Sequence, residues 1–222
     1  MAAGHSDSTR ARAALEKLCQ NYWYPLYAFV RRLGHSAHDA EDLVQGFFAV
    51  CLEKNYLGAA EQSKGRFRSF LLLALKRFLA NEWDRQRAQK RGGAQTSISL
   101  DSLTAEQRYA LEPAEQLSAD RLFDRRWALT LLDQVVARLR EEQVASGKAD
   151  QFDQLKECIT AGRGTGYAEL AARFGTSEGA IKVAVHRLRQ RYRALLEEEI
   201  ANTVSSPDEI DDERRQLLAA LG

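Results

Sequence analysis

The spacing of the apolar residues constrains the fold of this 222-residue chain more than any other feature. They recur every three or four positions, as on one face of an α-helix, and no segment shows the period-two alternation of a half-buried strand. Proline occurs only 3 times, and the composition is rich in alanine, leucine, glutamate and arginine, which favour helix. We therefore expect an all-α protein.

Turn signals divide the N-terminal part of the chain into helices. Gly34 is a natural stop for a first helix, and Ser36 with Asp39 resembles the capping box that opens a second one. Gly92 and Gly93 together form a strong helix breaker. The predicted elements are a helix over Arg10–Gly34, a helix from Ser36 to about Glu53, a loop over Asn55–Gly65 and a helix over Arg66–Arg91.

The predicted helix over Arg66–Arg91 changes character along its length. Its middle, Phe70–Leu75, is apolar almost all round, which predicts a central position in a first domain. Lys64–Arg91 holds nine basic residues against two acids, and Lys182–Arg193 holds five basic residues and no acid. The formal net charge of +1 thus conceals two basic stripes, which indicate a polyanionic partner.

The expected organisation is two helical domains joined by a linker. Residues 10–92 form the first domain, and residues 93–119, which have weak periodicity, form the linker. Apolar linker residues such as Leu111 could dock on a neighbouring element. Residues 120–200 form the second domain, and residues 201–222 form a C-terminal extension that is expected to be helical because Ser206-Pro207 resembles a helix start.

The second domain begins with a predicted amphipathic helix. A polar loop is expected over Glu142–Asp150, followed by a helix through Phe152, Leu155 and Ile159 and a turn over 162–164. The apolar face of the first of these helices comprises Leu122, Trp127, Leu131, Val135 and Leu139.

The last part of the second domain has the pattern of a helix-turn-helix. Ala171 is small at the point where two helices must cross closely, and Gly175, four residues later, can take the positive φ of a sharp turn. Thr176 or Ser177 can cap the second helix. The apolar seam that the two helices share comprises Leu170, Phe174, Ile181, Val185 and Leu188.

The second helix of this motif turns a polar and basic face away from the seam. A helical hairpin with a solvated arginine face is the simpler interpretation, but the small residue, the glycine and the apolar spacing coincide here with the basic face, which favours DNA binding. The residues expected nearest to a major groove are Ser177, Glu178, Lys182, Val183, His186 and Arg187, with Arg189, Arg191 and Arg193 well placed for phosphates.

Several other classes of function are poorly supported. Cys19, Cys51 and Cys158 are far apart and form no CxxC or Cys/His cluster, so we expect buried cysteines and neither a metal nor a cofactor. No phosphate-cradling loop or nucleophile–base pair indicates an enzyme. Met1–Arg10 lacks the apolar core of a signal peptide, and no apolar run is long enough to span a membrane, so a cytoplasmic protein is expected.

Three motifs in order resemble the bacterial sigma-70 family of RNA polymerase sigma factors. The segment that begins Asp39-Ala-Glu-Asp-Leu-Val-Gln is similar to the acidic helix of region 2.2, and Arg66–Arg85 is similar to regions 2.3 and 2.4. Gly166–Leu195 is similar to region 4.2. The short two-domain layout resembles the extracytoplasmic-function group, and the resemblance covers about Arg10–Glu199.

The resemblance implies that the acidic helix binds the clamp helices of the polymerase core. The residues implied are Asp39, Glu41, Asp42 and Gln45. An acidic face on an exposed helix suits a basic partner. The alternative for Asp39 and Glu41 is that they only favour the helix N-terminus. For Val44, Phe47 and Phe48 we prefer core packing.

The resemblance also implies that the Arg66–Arg91 helix reads the −10 element as a melted strand. Such reading takes a basic track with pockets or aromatic faces for bases, and Trp83 could either stack on a base or lie in the core. A solvated basic face is the alternative for any single residue. The residues implied are Lys76, Arg77, Asn81, Trp83, Asp84, Arg85, Arg87, Lys90 and Arg91.

The helix-turn-helix would then bind the −35 element as duplex, through the face described above. The expected partners are the polymerase core and promoter DNA, with an anti-sigma factor or another regulator left open as a third. The alternative function is a stand-alone helix-turn-helix regulator, which needs no acidic docking helix. Gly166 stands where the family usually has a capping serine, which weakens that cap. The extension over Ser206–Gly222 lies outside the family pattern; either its acids dock on a basic stripe or its apolar face packs on region 4.

Overall fold

The structure of the protein is a computed structural model that describes residues 19–53, 67–89, 101–112, 117–160 and 166–222. Helices occupy most of these ranges and no strand occurs in them, which confirms the all-α class. The helices are α1 (19–32), α2 (Ala37–Glu53), α3 (Phe67–Gln89), α4 (Asp101–Ala110), α5 (Ala119–Ala145), α6 (Ala149–Thr160), α7 (Tyr167–Phe174), α8 (Glu178–Ala201), a 3-10 turn (Pro207–Glu209) and α9 (Ile210–Leu221).

The chain divides into two compact units. The first unit comprises Met1–Thr130 and Thr203–Gly222, and the second comprises Leu131–Asn202. The boundary lies inside α5, about ten residues after the boundary expected near residue 120. The C-terminal extension belongs to the first unit. None of the helices in the described ranges is long and apolar enough to cross a membrane.

The turn between α1 and α2 follows the sequence signals. Gly34 has φ +97°, which an L side chain rarely adopts, and its N–H donates to the Arg31 carbonyl at 3.0 Å, so the predicted stop of α1 is confirmed. Ser36 caps α2, because its Oγ accepts from the Asp39 N–H at 3.1 Å. The Asp39 carboxylate accepts from the Ser36 hydroxyl at 2.7 Å.

The apolar middle of α3 is buried on one side only. Leu71 and Leu75 are fully enclosed in the first unit, whereas Leu73 is 49% exposed. The predicted central position in the first domain therefore holds for Leu71 and Leu75 but not for Leu73. Residues two apart on a helix point in nearly opposite directions, and the described elements of the first unit cover just one of these directions.

A helix that the sequence did not reveal lies inside the predicted linker. Helix α4 joins α1 through Glu106, whose carboxylate accepts from Arg31 Nε at 2.9 Å, from Arg31 Nη2 at 2.6 Å and from the Tyr27 hydroxyl at 2.7 Å. The Arg31 hydrogen bonds lower the pKa of Glu106 below its usual value. Apolar docking of Leu111 is not observed, since that side chain is 83% exposed.

A second polar contact fixes the end of the same segment. The Tyr24 hydroxyl donates to Glu112 Oε1 at 2.9 Å, and Arg126 forms an ion pair with the same carboxylate, which is buried. The Arg108 guanidinium lies over the Tyr24 ring, 3.9 Å from its centroid. Residues 101–112 are thus held by charged and aromatic contacts, which leave almost no periodic apolar pattern in the sequence.

The C-terminal extension packs on the start of α3 through a buried ion cluster. Arg68 is buried, and its Nε donates to Glu213 Oε1 at 2.6 Å while its Nη2 lies 3.2 Å from Glu213 Oε2. The same guanidinium pairs with Asp124 of α5 and Gln216 of α9 and lies 4.5 Å from the centroid of the Trp127 ring. Of the two alternatives for the extension, docking of its acids on a basic stripe is the one observed.

Further contacts join the extension to the first unit. The Phe67 N–H donates to the Thr203 carbonyl at 3.1 Å, and Leu217 is fully buried. The predicted helix start at Ser206 is confirmed: the Ser206 hydroxyl accepts from the Asp208 N–H at 3.3 Å, and the Glu209 carboxylate accepts from the Ser206 N–H at 3.2 Å.

In the second unit the loop expected over Glu142–Asp150 is shorter than predicted. Helix α5 continues to Ala145 and α6 begins at Ala149, because Gly147, at φ +68°, turns the chain within three residues. The polar residues around Glu142 indicated a loop, but they lie on the solvent-exposed side of the last turns of α5. The predicted apolar face of α5 is confirmed by the burial of Leu122, Trp127, Leu131, Val135 and Leu139.

We predict that Glu213→Ala lowers the free energy of unfolding by about 3 kcal/mol, because it leaves the buried Arg68 guanidinium short of its main counter-charge. Chemical denaturation followed by circular dichroism measures the change. The matched control is Asp211→Ala, which removes an exposed acid from the first turn of the same helix and should change stability little. Equal effects of the two substitutions would contradict the prediction.

Candidate nucleic-acid interface

The turn between α7 and α8 has the geometry that the sequence predicted. Gly175 lies in the left-handed region at φ +60°, and the Thr176 N–H donates to the Ala171 carbonyl at 2.9 Å, which closes the end of α7. Of the two candidate caps for α8, Ser177 is the one used: its Oγ accepts from the Ala180 N–H at 3.2 Å. Gly166, at the start of α7, supplies no side-chain cap, as the sequence predicted.

The apolar seam between α7 and α8 is confirmed. Leu170, Ile181, Val185 and Leu188 are buried, and Phe174 is half-buried at the end of α7. Ala171 is also buried, as expected for a small residue at a close helix crossing. Burial of this seam fixes which side of α8 faces outward.

Six residues predicted for the outer face of α8 are exposed. Lys182 Nζ lies 2.7 Å from Glu178 Oε1, one helical turn earlier, and this hydrogen bond raises the pKa of Lys182. Arg187 and Arg193 are exposed, and no carboxylate of the described residues pairs with either. The exposed set is Ser177, Glu178, Lys182, Val183, His186 and Arg187.

Two arginines predicted for phosphate contacts are engaged elsewhere. Arg189 Nη2 donates to the Cys158 carbonyl at the end of α6 at 2.6 Å. Arg191 forms a bidentate pair with Glu142, at 2.8 Å and 2.6 Å, and lies 3.3 Å from Glu198. These bonds raise the pKa of Arg191 and hold α8 against neighbouring helices of the second unit. These bonds give both arginines a structural role in the second unit, and their phosphate contacts stay a prediction.

A further ion pair in the second unit was missed by the sequence reasoning. Arg138 of α5 donates to Glu198 at 2.6 Å and to Glu199 at 3.2 Å. About sixty positions separate these residues, so no local spacing signals the contact. This ion pair and the Glu142–Arg191 pair hold the C-terminal half of α8 against α5. The outer face of the N-terminal half stays exposed.

In the first unit, the acidic face of α2 is narrower than predicted. Asp39, Asp42 and Gln45 are exposed, whereas Glu41 is only 2% exposed. Glu41 accepts a hydrogen bond from Gln45 Nε2 at 3.2 Å. Its position on the helix turns it toward the buried side with Val44, three residues later, so we withdraw Glu41 from the predicted contact set. The preference for core packing is confirmed for Val44, Phe47 and Phe48, which are buried.

The C-terminal half of α3 presents polar and aromatic side chains to solvent. Trp83 is 61% exposed, so the core alternative for this residue is wrong. Arg85 pairs with Glu82 at 2.8 Å. The predicted residues Arg77, Asn81, Asp84 and Arg85 are exposed as well, whereas the side chain of Arg87 and the whole of Lys90 and Arg91 lie outside the described residues.

Two described cations of the first basic stripe, Arg68 and Lys76, are paired with carboxylates within the first unit. Arg68 is buried against Glu213 and Asp124. Lys76 pairs with Asp120 and lies 5.6 Å from the centroid of the Phe29 ring. Among the described basic residues of the stripe, Arg77 is exposed and follows this pair directly, so these residues do not all share one role.

The exposed faces of α2 and α3 meet along two adjoining depressions. One, of about 450 Å³, lies beside Asp39 and Asp42, and the other, of about 150 Å³, lies beside Asn81. Phe78 belongs to both and packs closely on α2, since a Cβ at Gly46 would lie 3.4 Å from Phe78 Cζ. The structure thus brings the acidic face of α2 and the C-terminal half of α3 side by side.

The described residues offer no metal site, and comparison with known proteins identifies no relative. Within the described ranges, no group of three or more His, Cys, Asp or Glu side chains could hold a metal ion. No family model matches the chain, and no curated protein and no solved structure matches it. The functional proposal therefore rests on the chain's own residues and their geometry.

We predict that Arg191→Ala and Arg187→Ala separate two roles on one helix. Arg191→Ala should lower the midpoint of thermal unfolding, because the Glu142 carboxylate loses two hydrogen bonds and α8 loses a contact that holds its C-terminal half to α5. Arg187→Ala removes an exposed charge of the same type and should leave that midpoint within about a degree. Differential scanning calorimetry measures both, and an unchanged midpoint for Arg191→Ala would contradict the assignment.

Proposed function

We propose that this protein is a promoter-specificity subunit: a sigma factor of the sigma-70 family, of the extracytoplasmic-function group, that binds core RNA polymerase in the bacterial cytoplasm and directs it to promoters. The observation that carries the proposal is the α7–α8 helix-turn-helix, whose capped second helix exposes a polar and basic face. The protein itself would make or break no covalent bond; binding is the activity.

The outward N-terminal half of α8 supports duplex recognition. A recognition helix enters the major groove with its N-terminal residues nearest to the base edges. Lys182, Val183 and His186 occupy that position, and Arg187, which has no carboxylate partner in the described residues, is suited to a phosphate. The clamp at Glu142 and Arg191 holds the other end of α8 so that this half keeps a fixed orientation.

The first unit supports the two further steps that a promoter-specificity subunit needs. The exposed Asp39, Asp42 and Gln45 form a docking face that suits the basic clamp helices of the polymerase. Trp83 is 61% exposed, as an aromatic side chain that stacks a flipped base must be, while Asn81 and Arg85 line the depression on the other side of α3. Because the two faces adjoin, a strand read by α3 would lie next to the polymerase surface that binds α2.

Run-off transcription with purified bacterial core polymerase tests the proposal. The protein should support a promoter-specific transcript, and Trp83→Ala should reduce open-complex formation while Asp39→Asn with Asp42→Asn should weaken binding to the core. The alternative, a stand-alone helix-turn-helix regulator, predicts sequence-specific duplex binding and no core-dependent transcript. Binding of duplex DNA without any effect of the polymerase core would therefore favour the regulator.

We predict that Lys182→Ala and Arg187→Ala each weaken duplex binding and reduce its dependence on salt concentration, because each removes a cation that displaces counterions from DNA. The slope of log K against log salt should fall by about one unit for a lost phosphate contact. The matched control is Lys148→Ala, an exposed lysine between α5 and α6, which should leave the slope unchanged. A slope unaltered by Arg187→Ala would remove that residue from the interface.

A further inference from the structure

The first turn of α8 carries an acid where a surface that binds DNA would be expected to avoid one. Glu178 is exposed directly after the Ser177 cap, ahead of Lys182 and Arg187. A carboxylate in this position is repelled by phosphates, so it weakens non-specific binding. The helix N-terminus and the exposed ion pair with Lys182 each stabilise this acid only weakly, so neither conflicts with a second role in recognition.

Access to this acid is unobstructed. Gly179 and Ala180, which follow it in the first turn, are small and exposed, and a Cβ at Gly179 would meet only Ser177 Oγ, at 3.9 Å. The carboxylate of Glu178 and the ammonium of Lys182 lie 2.7 Å apart at the tip of the helix. They therefore present one acceptor and one donor side by side to an approaching surface.

The edge of a base pair offers the complementary arrangement. In the major groove a carboxylate can accept from the N4 amino group of cytosine or the N6 amino group of adenine. In a C·G pair the cytosine N4 donor lies next to the guanine O6 acceptor, at the distance of a base-pair hydrogen bond, about 2.9 Å. The pair Glu178–Lys182 matches that spacing with the opposite polarity.

The groups that flank the amino donor and the carbonyl acceptor in the major groove favour C·G over A·T. Guanine places N7, a second acceptor, next to O6, where the ammonium of Lys182 can use another of its donors. Adenine instead places the N7 acceptor next to N6, where it repels the carboxylate, and thymine places a methyl group where the ammonium would lie. Both differences disfavour A·T at this position.

Building on the proposed duplex recognition by α8, we infer that Glu178 and Lys182 act as a unit that reads one C·G base pair in the upstream promoter element. Glu178 accepts from cytosine N4, and Lys182 donates to guanine O6 and N7. The upstream sequence bound by this protein therefore contains a constant C·G pair at the position facing the first turn of α8. These two residues determine specificity, whereas Arg187 contributes affinity.

Selection of bound duplexes from a random-sequence pool tests this inference, with the full chain alone and together with bacterial core polymerase. The wild-type protein should enrich a motif with one constant C·G pair. Glu178→Gln should change the preference at that pair alone to A·T, by about tenfold, because an amide side chain pairs with adenine N6 and N7. The matched control is Glu141→Gln, which removes an exposed acid of the second unit and should leave the motif unchanged.

The outcomes separate this inference from the proposed function. A wild-type motif that is unaltered by Glu178→Gln, or one with no constant C·G pair, would overturn the inference while leaving duplex recognition intact. Failure of the wild-type protein to enrich any motif in either arm would overturn the proposed function and the inference with it. A shift to A·T at a single pair, absent from the control variant, is the result expected.

Discussion

The buried guanidinium of Arg68 is the interaction on which the first unit depends. It joins the start of α3 to Glu213 and Gln216 of α9 and to Asp124 of α5, with the Trp127 ring against its face. Removing a charge from water costs several kcal/mol, and that cost is offset only when every donor finds a partner. The cluster therefore requires all three helices at once, which makes the C-terminal extension part of the first unit.

The arginines of this protein fall into two groups that the sequence does not distinguish. Arg68, Arg189 and Arg191 donate to carboxylates or to a helix-end carbonyl, and these bonds hold helices together. Arg77 and Arg187 are exposed. A planar guanidinium with five donors suits both an internal ion pair and a phosphate contact, so the residue type alone does not show which of the two an arginine makes. The exposed group is the better placed for a polyanion.

Sequence reasoning identified the elements that depend on local chemistry. Gly34 and Gly175 stop helices because they adopt positive φ, and Ser177 caps α8 because its hydroxyl reaches the N–H three residues later. It missed α4, whose contacts through Glu106 and Glu112 are polar and lack an apolar period. It also placed Glu41 on a solvent face, because the sequence shows the identity of an acid but not the direction in which it points.

The sequence by itself determined the helical class, the helix-turn-helix and the outward face of α8. The apolar spacing, the turn glycine and the capping serine that specify them all act between residues a few positions apart. Only the tertiary structure decided which charges are available. Contacts such as Arg68–Glu213 and Arg138–Glu198 join residues 145 and 60 positions apart. No local pattern encodes such pairs, because their stability arises from burial and geometry that exist only after the helices have packed.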